Sequence, residues 1–268
     1  MPELPEVECW GRRFAERACR GKTITQAWAR PDETIVIEGV SPRKLAAALR
    51  GRTVEACHRH GKQMWWTLSG DGPQPLWHFG MSGRFKTPDP DEDRPKFTKI
   101  ELTFDDGTRL AYVDPRRFGR VRLAENPPNE PPLSDLGPDA LDDLPGSRWW
   151  YEHLAKRKTP IKALLLNQSF LAGIGNWIAD EVLYQAEVAP QRQANKLSHD
   201  EIKAIRNKTR YVLTKACAWD ADYTHFPDTW LFHHRWGKKD DALTGRGEEI
   251  DFDTVGGRTT AWVPKVQV

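Results

Sequence analysis

Cysteine is scarce. Cys9, Cys19, Cys57 and Cys217 are scattered through 268 residues, and no Cys-x-x-Cys pair occurs. That spacing argues against a cysteine-built zinc site and a disulfide framework, and it fits a reducing compartment. No apolar run reaches membrane-spanning length, so no membrane partner is expected. The first eight residues, with two prolines and three glutamates, lack the positive start and apolar stretch of a targeting segment. A charge excess is missing too, because 40 Lys and Arg against 38 Asp and Glu leave only +2. The chain is not a uniform polycation, and internal repeats are absent.

What is present is clustered. Basic residues gather at Arg43/Lys44, Arg59–Lys62, Arg116–Arg122 and Lys156–Lys158. Such clusters neutralise phosphates locally or are simply solvated faces. Twelve tryptophans are many, and most should pack in a core or a domain interface.

The periodicity predicts an α+β chain. A helix is expected over 6–19, with Val7, Trp10, Phe14 and Ala18 at helical spacing. Short alternating runs follow at 23–29, 34–37, 53–58, 63–68, 76–79, 97–104 and 109–113, separated by glycine and aspartate turns. A helix opened by Ser41 and Pro42 interrupts them. This pattern predicts a β-sandwich with flanking helices over 1–123. A Pro-rich stretch, 124–147, reads as a semi-rigid linker. Residues 148–268 should form a helical domain, with helices at 149–156, 159–167, 176–185 and 198–218. Ser198 and Glu201 form a capping box for the last of these. The final forty residues return to short β-like runs at 230–235, 249–253 and 260–263, a β-hairpin finger from about 229 to 268.

Two stretches carry the chemistry. The first is Met1-Pro2-Glu3-Leu4-Pro5-Glu6-Val7-Glu8. If Met1 is removed, Pro2 presents a secondary amine beside Glu3; a terminal amine titrates at roughly 7.7–8 and can attack electrophilic carbon to give a Schiff base. Taken alone, the stretch is an ordinary frayed terminus. The second is Leu164-Leu165-Leu166-Asn167-Gln168 followed by Gly173-Ile174-Gly175-Asn176-Trp177-Ile178-Ala179-Asp180-Glu181-Val182-Leu183. Its glycines precede a predicted helix N-terminus, where free N–H groups and the helix dipole suit a phosphate.

Together these stretches resemble the formamidopyrimidine-DNA glycosylase and endonuclease VIII family, over essentially the whole chain. The resemblance implies a bifunctional DNA glycosylase/AP lyase of base excision repair, acting as a monomer in a cleft between the domains. Its partner would be double-stranded DNA with a damaged base or abasic site. Pro2 is then the nucleophile and Glu3 the general acid/base, with Glu6 close by. Lys62, which alone would read as a surface lysine, matches a phosphate-contacting lysine near the reacting sugar. Phe79–Gly83 and Asp114–Gly119 resemble two void-filling loops, in which Met81, Phe118 and Arg116 would occupy the space left by an extruded base. Asn176 and Arg258 would hold backbone phosphates.

One departure narrows the resemblance. Zinc-bearing relatives place two cysteines where this chain has Val263 and Val266, so the finger resembles the zincless finger of plant and fungal members. Trp230, Phe232, Trp236, Phe252, Trp262 and the two valines would form its core. No metal or cofactor is expected, because His225, His233 and His234 lack a fourth soft ligand at suitable spacing. A nuclear, intracellular location would follow from that subgroup, although no signal is visible. The segment 219–229 is short beside the mobile loop of 8-oxoguanine-excising relatives. Formamidopyrimidines and hydantoins are therefore the expected substrates, with weak action on 8-oxoguanine. Two alternatives stay open: an endonuclease VIII-like preference for oxidised pyrimidines, and a lesion-binding protein without turnover.

Overall fold

In the computed structural model, residues 2–238 and 241–268 are described. They divide into two compact units, one ending at Asp135 and the other beginning at Leu136. Met1 lies outside the described residues.

The first unit begins with one continuous helical run, α1 (Leu4–Glu6), a π-helical stretch (Val7–Arg13) and α2 (Phe14–Cys19). Of the four residues expected on its apolar face, Val7 is buried and Phe14 and Ala18 pack on the core, but Trp10 is 37% exposed. The wider i→i+5 winding changes the phase of the helix. Trp10 turns outward and the carboxylate of Glu8 turns in, 4% exposed.

Two antiparallel sheets follow. The first has the order β1 (Ile24–Ala29), β6 (Thr98–Phe104), β7 (Arg109–Val113) and β5 (Arg84–Lys86). The second has β2 (Val54–His60), β3 (Gln63–Leu68), β4 (Gln74–His78) and β8 (Arg120–Ala124). The short helix α3 (Pro42–Leu49) is capped by Ser41, whose hydroxyl accepts from Lys44 N at 3.3 Å. Aromatic rings bridge the sheets: Trp77 on β4 lies 5.6 Å from Tyr112 on β7, and Trp66 on β3 lies 5.7 Å from Phe85 on β5.

Residues 34–37, expected as a strand, form only an isolated bridge, Ile37 to Val121. Glu33 explains the difference: its carboxylate accepts from Ile35 N and Val36 N, so neither is offered to a neighbouring strand. Strands β5 and β8 were not foreseen. In β8 the alternation is carried by arginines, with Val121 buried between half-buried Arg120 and Arg122, so a strand read as a basic cluster.

The unit boundary falls inside the stretch expected as a linker. Gly137 N donates to Gln168 O at 2.9 Å and Ala140 N to Ala172 O at 3.0 Å, which builds that part into the second unit. Helices α4 (Ser147–Leu154), α5 (Ile161–Leu165), α6 (Asn176–Gln185) and α7 (His199–Ala218) follow. The Ser198/Glu201 capping box forms, with Ser198 Oγ accepting from Glu201 N at 3.2 Å. A hairpin, β9 (Asp251–Val255) and β10 (Arg258–Trp262), closes the chain.

Residues 230–235 are not a strand. They make a short 3-10 turn, Leu231–His233, because Phe232 N is held by the buried Glu181 carboxylate at 2.8 Å. The expected finger core divides accordingly. Val263, fully buried, packs with Leu231, Ile250 and Ala261, and Phe252 and Val266 lie against them. Trp230 and Phe232 belong instead to an aromatic nest with Trp177 and Phe226, and Trp236 is 50% exposed.

Candidate active site and nucleic-acid anchors

In the first unit, Pro2 is half-buried while the carboxylates of Glu3 and Glu6 are enclosed, at 2% and 0% exposure. Glu6 Oε2 accepts from Glu3 N at 2.9 Å, closing the first turn of α1 and holding Pro2 next to two acids. Glu8, to which the sequence reading gave no role, organises what lies around them. It receives Arg12, Arg13 (2.9 Å) and Arg59 (3.0 Å). Burial pulls its carboxyl up, but the hydrogen bond and charge from Arg12 and the charge of Arg59 prevail, and it falls to about 2. Arg59 also donates to Gly61 O at 3.1 Å. Thus one guanidinium ties the Gly61-Lys62 turn, between β2 and β3, to the helix that carries the N-terminus.

His78 links this turn to the next element. It pairs across the sheet with Gln63, and its Nδ1 accepts from Gly80 N at 3.3 Å. Burial, then the charge of Lys62, drives its pKa down to about 4, so the ring is neutral near pH 7. Gly80 opens the Met81 loop at φ +60°, and a Cβ there would stand 2.2 Å from the carbonyl carbon of Phe118. Only glycine permits that approach. The two loops are locked together by fully buried Asp114, which accepts from Ser82 Oγ (2.5 Å) and Gly119 N (2.8 Å).

On this platform Met81 is 36% and Phe118 50% exposed, and the exposed Arg116 guanidinium lies 5.3 Å from the Phe118 ring. The structure therefore brings Met81, Arg116 and Phe118 to one place. Other arginines of the basic cluster are committed to the fold: Arg117 pairs with Glu33 at 3.0 Å and Arg122 with Glu38 at 2.7 Å.

The second unit holds Asn176 and Arg258. Gln168 closes the loop ahead of α6, donating to Leu166 O and Ile174 O and accepting from Gly173 N. Asn176 opens α6, and its Nδ2 donates to Thr259 O at 2.8 Å. That contact joins the helix N-terminus to the hairpin and brings Asn176 beside exposed Arg258. The hairpin turn needs positive φ at Gly256 and Gly257, and a Cβ on Gly256 would press on Ala163 of α5 at 2.9 Å.

Beneath Asn176 and Arg258 lies a buried ion network that the sequence reading missed. Lys162 Nζ is 2.6 Å from Asp180 Oδ1, and Arg235 reaches Asp180 Oδ2 at 2.7 Å. Lys162 also donates to Thr260 Oγ1 and Thr259 O, while Ala261 N donates to Asp180. The only hint in the sequence was charge within apolar helical runs. His233 and His234 are each engaged with a backbone carbonyl, of Phe226 and Asp228.

Residues 1–121 match the formamidopyrimidine-DNA glycosylase N-terminal domain, and residues 136–228 match the formamidopyrimidine-DNA glycosylase H2TH domain. The chain belongs to the formamidopyrimidine-DNA glycosylase family, DNA glycosylases of base excision repair. It is 42% identical over 280 residues to the formamidopyrimidine-DNA glycosylase of Arabidopsis thaliana, covering all of this chain and 71% of that one. The Geobacter metallireducens glycosylase is 30% identical, with both chains fully covered. Among solved structures, the Lactococcus lactis glycosylase in complex with abasic-site DNA superposes with a TM-score of 0.84 at 28% identity, covering 99% of each chain. A second complex of the L. lactis glycosylase, with N7-benzyl-Fapy-dG DNA, gives 0.83 at 27%, again with 99% of each chain covered.

Proposed function

We propose that this glycosylase is bifunctional, excising oxidised bases from double-stranded DNA and cutting the abasic strand through its N-terminal proline. The observation that carries the reading is the enclosure of Glu3 and Glu6 against Pro2, with Lys62 tethered to the same helix through Arg59 and Glu8. After Met1 is removed, the Pro2 nitrogen attacks C1′ of the damaged nucleotide. The base leaves with the electron pair of the glycosidic bond and takes up a proton. Ring opening at the sugar oxygen, with Glu3 as proton donor, gives an iminium between Pro2 and the deoxyribose. The cationic nitrogen acidifies C2′, whose proton is lost as the 3′ phosphate departs. A second elimination expels the 5′ phosphate, and hydrolysis frees Pro2.

Lys62 and Arg258 contact phosphates as point charge and fork respectively, and Asn176 supports a third contact at the α6 N-terminus. Met81, Phe118 and Arg116 fill the gap left by the extruded nucleotide. The finger needs no zinc; that reading is supported by the fully buried Val263 and by Gln267, whose side chain accepts from Val263 N and donates to Val188 O.

Substrate choice follows from the segment after α7. It is packed rather than extended, with Trp219, Phe226 and Trp230 in mutual contact at 5.0–6.0 Å. Such a segment offers few groups to the edge of an extruded purine, and missing hydrogen-bond partners weaken discrimination. Formamidopyrimidines and hydantoins are therefore preferred over 8-oxoguanine.

Borohydride trapping tests the chemistry. Enzyme and lesion duplex should give a covalent adduct, which Pro2→Gly removes, while Glu3→Gln suppresses base excision. An adduct that persists after the terminal amine is blocked would place the nucleophile elsewhere. Single-turnover excision tests the lesion range: a hydantoin should be released faster than 8-oxoguanine, each opposite cytosine. Equal rates would defeat the argument from the packed segment.

A further inference from the structure

Helix α7 carries a charge pattern that the glycosylase reaction does not use. From 202 to 219 the chain holds Lys203, Arg206, Lys208, Arg210 and Lys215 and no acidic residue. The inward face is filled by Ile202, Ile205, Thr209, Val212, Leu213 and Ala216, so Lys203, Arg210 and Lys215 are exposed on the outer side, Lys208 is half-buried, and half-buried Arg206 donates to Pro145 O at 2.7 Å. Among the described residues none of the five is paired with a carboxylate. Acidic residues of this segment lie only at its ends, Asp200 and Glu201 before it and Asp220 and Asp222 after, and Glu201 is held by Arg192 at 2.9 Å. The Glu152 carboxylate of α4 is taken by Arg148 at 2.8 Å.

Two cations rest against aromatic rings instead: Lys208 is 5.7 Å from the Tyr211 ring and Lys215 is 5.7 Å from Trp219. Tyr211 itself is 41% exposed. It borders a shallow groove of about 390 Å³ lined by Arg206, Asn207, Arg210, Tyr211, Thr214 and Lys215. On its other side lies a smaller cavity of about 260 Å³, where Lys208, Arg246 and Trp230 are joined by Glu187. Lys203 to Lys215 spans ~18 Å at the α-helical rise. That cavity reaches Tyr184 and Gln185, at the far end of α6 from Asn176, ~12 Å along the helix axis.

We propose that the outer face of α7 is a second nucleic-acid site, which holds a single-stranded DNA segment apart from the duplex anchors at Asn176 and Arg258. Charge complementarity selects a polyanion. Three of the six residues lining the groove are cations and none is acidic, so a basic partner is repelled. Cations beside an exposed ring are instead what an unpaired strand uses: phosphates on the lysines and arginines, a base on the tyrosine. A duplex keeps its bases stacked and cannot use Tyr211, which favours the single strand.

The test is fluorescence anisotropy with a fluorescein-labelled oligothymidylate at low salt. It is run on the full chain, alone and after saturation with an unlabelled duplex bearing an abasic-site analogue. The oligothymidylate should still bind when the duplex is present. Arg210→Glu with Lys215→Glu should weaken it by about tenfold or more, and Tyr211→Ala by about fivefold or more. Duplex affinity and Tm should stay as in the wild type. The milder pair Arg210→Ala with Lys215→Ala should weaken binding in the same direction if the reversals perturb folding. Displacement of the oligothymidylate by the duplex, or indifference to all these variants, would overturn the second site. Competition by a polyglutamate peptide as effective as unlabelled oligothymidylate would also overturn it, by assigning the face to an acidic protein. These outcomes are independent of borohydride trapping, which reads the Pro2 chemistry alone.

Discussion

The two units hold their working loops by opposite electrostatic arrangements. In the first, a buried carboxylate gathers one buried cation and others that reach water: Glu8 holds buried Arg59 with half-exposed Arg12 and Arg13, and Glu33 holds buried Lys99 with Arg117. Both acids are drawn down to about 2, against the pull of burial, by their hydrogen bonds and neighbouring cations. In the second, Lys162 and Asp180 are sealed from solvent, and burial raises Glu181 next to them to about 7. Clasps of the first kind connect surface turns to a sandwich that already has its own core. Charges of the second kind lie between α5, α6 and the hairpin, where removal of one leaves the others stranded. The first arrangement positions loops; the second is part of the packing itself.

Removing one acid from each unit should expose the contrast. Asp180→Ala leaves Lys162 and Arg235 buried without their carboxylate and should cost about 3–5 kcal/mol, read from the urea midpoint. Glu8→Ala should cost less, about 1–3 kcal/mol, because Arg12 and Arg13 can turn to water and buried Arg59 keeps its hydrogen bond to Gly61 O. Its larger effect should be on excision, since the Lys62 turn loses its tie to the N-terminal helix. Equal losses of stability would mean that both clasps belong to the core.

The acid and neutral limbs of a stability–pH curve sharpen the same comparison. Glu8 and Glu33 have folded values below their unfolded ones near 4.5, so their contribution is present above that pH and declines as pH falls towards 2. Glu181 is raised, so its contribution is complete below 4.5 and is lost as pH rises through about 7. Glu181→Gln should flatten the limb between 4.5 and 7, and Glu8→Gln only the acid limb. Crossed effects would undo the assignment.

The smallest changes concern stability not at all. Lys62→Ala in the first unit and Arg258→Ala in the second should each weaken DNA binding and lower the slope of log affinity against log salt by about one phosphate's worth. Asn176→Ala should weaken binding while leaving that slope in place, because it removes a neutral donor. A slope equal to the wild type for both cationic variants would put these residues outside the interface.

How much of this was legible depended on whether the cause lay near in sequence. The bounds of β3, β7 and α6 and the Ser198 cap follow from alternation, helical period and a side chain three residues away. The pairing of Met81 with Phe118 and Arg116 was legible only as two separate loops with glycines and exposed-type residues. Their coupling comes from Asp114 and from the close approach at Gly80. Where a residue far away took the backbone donors, local reading failed: Phe232 N goes to Glu181, fifty-one positions back, and the predicted strand at 230–235 becomes a 3-10 turn.

The sequence by itself determined the chemistry available: a proline behind one methionine, acids beside it, a glycine-bracketed helix start, and valines at two finger positions. Those are covalent facts, and no folding is needed to read them. Tertiary structure alone decided which charges are left in solvent and which hold the protein together. Arg117 and Arg122 differ little from Arg116 as letters, yet two are spent on Glu33 and Glu38 and one stands in solvent beside Phe118. An ion pair is set by distance and burial, and the chain brings its partners from eighty-four residues away.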